Sequence, residues 1–294
     1  MRDAMIEVQG LTKCFERAPV LDRLDLAIAA GERVALVGAN GAGKTTLFRC
    51  LLGEYTHAGR IAVAGRDPRL SRAEVLRRVG FVPQLPPPLR MGVGGLLAFA
   101  AAVCGATTAP MEQVARRLGL DPRSLWRQPF ARLSGGQKQK LLIAVALGRP
   151  VELLVMDEPA ANLDPEARRV FFQLLAERQE RATMLISSHR LDEVAQLATR
   201  VIELDRGRLV LDDRVDGAAS LDALLRCRVV LARASDAAAA AFASWGLLAG
   251  EAGLVFEGAI AGPDRLRFLG AVARYAGLLR SLSLEESSAR ECAR

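Results

Sequence analysis

The segment Gly38–Thr46, GANGAGKTT, gathers three glycines, one ammonium and two hydroxyls within nine residues. From Gly38 to Thr45 it fits the spacing G-x-x-x-x-G-K-[ST]. Glycines let a backbone wrap phosphate oxygens with its N–H groups pointing inward. Lys44 would then reach the β- and γ-phosphates of a nucleoside triphosphate, and the Thr45 hydroxyl would ligate Mg2+. Lys44 is one of only four lysines in an arginine-rich chain. A planar guanidinium would not replace a point-charge ammonium in such a loop. Farther along, LLVMDEP ends an apolar run on Asp157 and Glu158. Asp157 is suited to hold Mg2+ through water, and Glu158 to polarise an attacking water. A third stretch, RLSGGQKQKLL, follows a serine with two glycines and a helix-forming run. Backbone N–H groups at a helix start attract anions, so the chain carries a second phosphate-like segment.

The elements around these residues alternate. IEVQGL and LDRLDLAIAAG show the apolar–polar alternation of paired edge strands. RVALVGAN is a short apolar strand that leads into the glycine loop, and a helix runs from Gly43 through Leu52. GRIAVAG reads as a strand, and SRAEVLRRVGFVPQ as a helix feeding a strand. The stretch from about Leu85 to Pro150 is mostly helical. VELLVMDEP is a fully buried strand, and DPEARRVFFQLLAERQE a helix. ATMLISSH is a strand, RLDEVAQLA a helix, and TRVIELDRGRLVLDD a hairpin. Strands alternating with helices predict a parallel sheet covered on both faces. Residues 1–213 form the expected main domain, with a helical subdomain over about 85–150. Residues 214–226 read as a linker with a short helix. Residues 227–294 read as strand, helix, strand, helix, strand, a small α+β module.

Composition bounds the rest. The chain has 294 residues, 51% of them hydrophobic and 25% charged, enough for a large core. Five scattered cysteines with no C-x-x-C pair predict free, buried thiols rather than a disulfide framework or zinc site. The uncharged run Met91–Pro110 approaches membrane-spanning length, but its glycines and threonines weigh against a span. The chain is therefore expected to be soluble by itself. Net charge is +7. From Val215 onward nine arginines balance nine acids, so the excess lies in the first 214 residues. A basic face suits an acidic partner or anionic lipid. No aromatic residues interleave to stack bases, so nucleic acid is not expected.

Taken together, these motifs resemble the nucleotide-binding subunit of an ABC transporter, over roughly Ile6 to Asp213. LSGGQ, Leu133–Gln137, matches that family's signature completely. The implied fold is α/β: a P-loop ABC ATPase with a mixed parallel sheet, a helical signature subdomain and the small C-terminal module. The resemblance assigns Gly38, Asn40, Gly41, Gly43, Lys44, Thr45 and Thr46 to the nucleotide phosphates, and Phe15 to stacking on adenine. It makes Glu158 the catalytic base, with Gln84 of FVPQ and His189 of SSHRLDEV beside the γ-phosphate. Thr45, Gln84 and Asp157 become the Mg2+ ligands. It also answers why two phosphate-like segments coexist. Ser134, Gly135, Gly136 and Gln137, with Asp164 of ANLD, would serve the ATP held by a second copy, packed head to tail. Two departures stand out. Ala160 follows DEP where the family commonly has threonine, and MGVGG at Met91–Gly95 differs from the usual sequence after the Q-loop.

The resemblance implies ATP and Mg2+ as ligand and cofactor. The implied partners are a homodimer mate, a separate integral membrane permease and, as a further candidate, an extracytoplasmic protein. The implied location is cytoplasmic, peripheral on the inner membrane face. The ending LRSLSLEESS resembles tails of export-type subunits, so export or enzyme maturation (a NosF-like copper-maturation subunit among the options) is the favoured system. An importer ATPase is the alternative. A soluble ABC ATPase acting on nucleic acid or ribosomes is a further alternative; the stretch between the glycine loop and LSGGQ shows neither the heptads nor the cysteine pairs of DNA-repair members, and ribosomal members usually carry two ATPase domains. An adaptor with a decayed ATPase conflicts with intact Lys44, Asp157 and Glu158.

Overall fold

The computed structural model describes residues 4–16, 18–179, 182–188, 194, 197–214, 224–250, 253–261 and 265–286. The described elements fall into two compact units.

In the first unit, β1 (Ala4–Phe15) pairs antiparallel with β2 (Ala18–Ala29) and β4 (Ala58–Val63). A six-stranded sheet holds β3 (Arg33–Val37), β5 (Val79–Val82), β6 (Leu153–Asp157), β7 (Thr183–Ser187), β8 (Arg200–Asp205) and β9 (Arg208–Arg214). Its order is β5-β6-β7-β3-β8-β9, parallel except for the antiparallel β8–β9 hairpin. All five residues of β6 and of β7 are buried, the signature of a parallel strand covered on both faces. Between the sheets' residues sits α1 (Lys44–Leu51), whose Leu47 and Phe48 share one core cluster with Ile6, Leu21, Leu36 and Val155. Phe48 is fully buried. Truncating it to alanine would cost about 3–5 kcal/mol.

Helix α2 (Arg72–Arg78) feeds β5. The predicted helical stretch contains α3 (Val93–Cys104), α4 (Ala109–Arg117) and α5 (Gly135–Leu147). The uncharged run Met91–Pro110 supplies α3, whose 12 residues end at Gly105 in the left-handed region with φ 62°. No helix among the described residues is long and apolar enough to cross a membrane. Helix α6 (Pro165–Ala176) follows β6. Most of the predicted RLDEVAQLA helix, and residues 215–223 of the predicted linker, lie outside the described residues. The linker expected over 214–226 is shorter than its sequence suggested, because Arg214 ends β9 and the strand opening the second unit begins at Leu224.

The second unit runs β10 (Leu224–Leu231), α7 (Asp236–Ala243), β11 (Leu248–Ala249), β12 (Val255–Ala261), α8 (Arg265–Ala273) and β13 (Leu279–Glu286). The sheet order β11-β12-β10-β13, all antiparallel, makes it a βαββαβ unit of ferredoxin-like topology. Its core holds Cys227, Val229, Phe242, Phe256, Ile260 and Phe268. Phe242 meets Phe256 edge-on at 5.1 Å, a favoured aromatic geometry. The two-residue β11 was not visible in the sequence, because so short a strand has no periodicity. It follows a turn at Gly246, whose φ is 78°.

Free thiols are present, but they are not uniformly buried. Cys50 and Cys227 are buried, Cys104 is half-buried and Cys14 is exposed. Cys14 lies near the end of β1, where the pairing with β2 shifts register and Cys14 and Phe15 are both exposed. Cys292 lies outside the described residues.

Candidate functional site

The loop between β3 and α1 is shaped by glycines. Gly38, Gly41 and Gly43 all take positive φ, at 148°, 84° and 110°. At Gly38 a Cβ would come 2.3 Å from the Leu204 carbonyl oxygen, and at Gly43 within 2.9 Å of the Val20 carbonyl oxygen. So the loop is pressed against β8 and β2, and only glycine fits there. At Gly41 nothing lies within 4 Å of a Cβ, and Asn40 beside it is exposed. The concave side of the loop is open to a ligand. Lys44 is buried, and its ammonium donates to the carbonyls of Gly38 at 2.6 Å and Ala39 at 3.3 Å. Among the described residues no carboxylate pairs with it. A buried cation satisfied only by neutral dipoles, at a helix start, fits a polyphosphate. Thr46 is half-buried one residue beyond Thr45 on α1.

Three neighbouring parallel strands bring the acidic groups to this loop. β6 lies next to β7, and β7 next to β3, with Asp157 in register with Ser187 and Ser187 with Leu36. Asp157 is buried at the carboxyl end of β6. The Thr45 hydroxyl donates to its Oδ2 at 2.6 Å, and the Ser187 hydroxyl to its Oδ1 at 2.6 Å. Ser187 in turn accepts from the Glu158 N–H at 2.9 Å. Glu158 takes φ 45°, unusual for a non-glycine residue, which turns the chain sharply just past the strand. Its Oε2 accepts from the Gln84 amide at 3.1 Å. Gln84 follows β5, the strand beside β6. Thus Lys44, Thr45, Asp157, Glu158 and Gln84 form one cluster, joined through Ser187. His189 lies outside the described residues.

Phe15, at the end of β1, is 42% exposed. Its ring meets Tyr55 edge-on at 5.3 Å, and the Lys13 ammonium lies 4.8 Å from its centroid. Tyr55 accepts a hydrogen bond from Arg49 at 3.0 Å. Ser187, Lys13 and Tyr55 were not singled out from the sequence. Ser187 had one available signal, its position at the end of a buried strand next to a motif.

The second phosphate-like segment is built differently. Ser134 is the N-cap of α5: its hydroxyl accepts from the Gln137 N–H at 3.2 Å, and the Gln137 side chain accepts from the Ser134 N–H at 3.0 Å. This capping box satisfies two of the helix-start donors. Ser134 and Gly135 are exposed, while a Cβ on Gly136 would lie 3.2 Å from the Asn162 carbonyl oxygen. No hydrogen bond among the described residues joins Ser134–Gln137 to Gly38–Thr46. Asp164 caps α6, accepting from the Ala167 N–H at 2.9 Å, and pairs with Lys140 of α5 at 2.7 Å. The Lys140 hydrogen bond, with the Ala167 N–H, holds its carboxyl below the usual value of 3.8. Gln139, fully buried, donates to the Pro159 carbonyl at 3.0 Å. It ties α5 to the turn that carries Glu158.

Comparison with known proteins identifies the family. The ABC transporter family model matches residues 21–161. The Nod factor export ATP-binding protein I of Paraburkholderia xenovorans is 36% identical over 223 residues, 72% of this chain and 71% of that one. The aliphatic sulfonates import ATP-binding protein SsuB of a Mycobacterium species is 39% identical over 222 residues, 74% of this chain and 86% of its own. A solved ATP-binding subunit of an ABC transporter superposes with a TM-score of 0.66 at 26% identity, over 72% of this chain and 90% of that structure. The chain belongs to the ABC transporter family, as an ATP-binding subunit whose ATPase activity is coupled to transport.

Proposed function

We propose that this chain powers a separate membrane permease by closing as a homodimer around two ATP molecules and hydrolysing them. The observation that carries the reading is the continuous cluster from Lys44 through Thr45, Asp157 and Ser187 to Glu158 and Gln84. The glycine loop and Lys44 hold the phosphates, with Asn40 and Thr46 at their edge. Phe15 stacks on the adenine. Thr45 and Asp157 present hard oxygen donors 2.6 Å apart, a donor set that fits Mg2+, and Gln84 is the third candidate ligand. When bound, that ion neutralises phosphate charge. Glu158 takes the proton of an in-line water as the water oxygen bonds to the γ-phosphorus. The bond to the bridging oxygen breaks, leaving ADP and phosphate. His189 is assigned to the γ-phosphate on the motif alone.

Ser134, Gly135, Gly136 and Gln137, with Asp164, act in trans on the partner's ATP. The exposure of Ser134 and Gly135, and the lack among the described residues of any hydrogen bond from them to the chain's own loop, support this assignment. A permease docks beside α3 and the Gln84 loop, where Leu85, Phe99 and Val103 stay exposed. With such a dock, the chain would work in the cytoplasm, on the inner membrane face. For direction we favour an export or maturation system, on the separate βαββαβ unit and the LRSLSLEESS ending.

The test is Glu158→Gln, which keeps shape and removes basicity. Hydrolysis should fall roughly 10²–10⁴-fold while ATP still binds. Light scattering with Mg·ATP should find the variant as a dimer, and adding Ser134→Arg should return it to monomer. Wild-type hydrolysis by Glu158→Gln would remove Glu158 from the base role.

A further inference from the structure

Glu158 holds a backbone conformation that its own sequence opposes. Its φ of 45° lies in the left-handed region, which costs a non-glycine residue free energy. The next residue is Pro159, whose ring pushes the residue before it toward extended backbone, at φ about −120°. Such a turn persists only where its surroundings hold it. On one side the Glu158 N–H donates to the Ser187 hydroxyl at 2.9 Å and lies 3.2 Å from the Ser187 carbonyl oxygen. On the other side the Glu158 carbonyl accepts from the Ala161 N–H at 3.2 Å. The Pro159 carbonyl accepts from Gln139 Nε2 at 3.0 Å.

Core stability does not account for that glutamine. Its side chain is fully buried. A carbonyl can only accept, so Nε2 faces Pro159 and Oε1 faces away. Among the described residues Oε1 has no hydrogen-bond partner. A buried acceptor left unpaired destabilises the fold and offsets what the single bond contributes. As a brace, however, Gln139 is well supported. Gly136, Gln139 and Lys140 share one face of α5, at the spacing i, i+3, i+4. All three meet the turn from Pro159 to Asp164. A Cβ on Gly136 would lie 3.2 Å from the Asn162 carbonyl oxygen, and Lys140 pairs with Asp164 at 2.7 Å. Of the three, Gln139 grips the turn closest in sequence to Glu158.

We propose that Gln139 is a positioning residue for hydrolysis: through the Pro159 carbonyl, its amide keeps Glu158 in the left-handed turn that aims its carboxylate at the attacking water. This rests on the reading of Glu158 as the base. Without the brace, Glu158 relaxes toward negative φ. Its carboxylate, which accepts from the Gln84 amide at 3.1 Å, then swings out of line. A misplacement of about 1 Å can cost roughly 10²-fold in rate. The same relaxation relieves backbone strain, and an apolar side chain in place of the amide removes the unpaired Oε1. Rate therefore falls while stability holds or rises. Loss of a packing contact would lower both.

The test is Gln139→Met in the full chain, a side chain of similar length with no donor. Its kcat for ATP hydrolysis should fall at least roughly tenfold. KM and the equilibrium affinity for ATP should stay within about twofold of wild type, since Lys44 and its loop are untouched. The midpoint of urea unfolding should not fall. In a Glu158→Gln background no base remains to be aimed, so adding Gln139→Met should change the residual rate by less than about twofold. Wild-type kcat for Gln139→Met beside a slow Glu158→Gln would overturn this proposal alone. So would a loss of kcat that comes with a lowered urea midpoint, or a further loss of similar size in the Glu158→Gln background. If Glu158→Gln itself hydrolyses at the wild-type rate, the base reading falls and the positioning role falls with it.

Discussion

The Ser187 hydroxyl donates to Asp157 Oδ1 at 2.6 Å, from the adjacent parallel strand and with both residues buried. It also accepts from the Glu158 N–H at 2.9 Å. One small side chain therefore fixes both carboxylate-bearing residues of the cluster. Ser187→Ala leaves Asp157 Oδ1 without that donor. Stability should drop by about 1–3 kcal/mol in urea titrations. Steady-state hydrolysis should fall roughly 10–100-fold, the range seen when outer-shell partners are removed. ATP affinity should hold, since Lys44 is untouched. Unchanged turnover would make Ser187 a packing residue only.

Lys44→Ala removes the one ammonium of the glycine loop. Its loss leaves phosphate charge without that partner, so ATP affinity should fall at least roughly thirtyfold. The fold should persist, because the ammonium bonds only to loop carbonyls. Equilibrium binding of ATP with a spectroscopic check of folding decides it. Equal affinity in variant and wild type would remove the loop from the binding site.

Arg200, 5% exposed, grips Asp212 with two hydrogen bonds of 2.6 and 2.7 Å and also reaches Glu32 at 2.9 Å. The Arg200 hydrogen bonds hold the Asp212 carboxyl below its ordinary value of 3.8. The folded state thus binds this proton more weakly than the unfolded chain. Its contribution to stability is present above the ordinary value and is lost as pH falls through the lowered one. Asp212→Asn should destabilise the protein near neutral pH and flatten the acid limb of stability against pH. Urea titrations at about pH 6 and about pH 3 would read this, and parallel acid limbs would refute it.

Burial pushes the thiols of Cys50 and Cys227 up to about 11. The thiolate is the reactive form, and Cys14 is exposed. A maleimide at about pH 8 should modify Cys14 well before Cys50 or Cys227, as peptide mass mapping would show. Equal labelling rates would mean that the buried sites open on the same timescale.

Much of this molecule was legible from local pattern. The glycine loop, the apolar run into Asp157 and the alternation of β1 and β2 are short-range features, and each predicts its element by its own spacing. The strand–helix alternation also predicted a parallel sheet, because a crossover helix forces parallel neighbours. Other features arise only when distant segments meet. Thr45 and Asp157 are 112 residues apart, and only the order β6-β7-β3 brings their side chains together. Only its place at the end of a buried strand beside a motif marks Ser187 locally, and a serine there has many uses. Ser134 shows the converse. Its spacing to Gln137 encodes a capping box, yet the sequence first reads as an anion site, because both use the same helix-start donors. The pairing order of β11, β12, β10 and β13 was likewise a tertiary decision. Backbone hydrogen bonding is indifferent to sequence, so which strand is left at an edge depends on how the two helices cover the sheet.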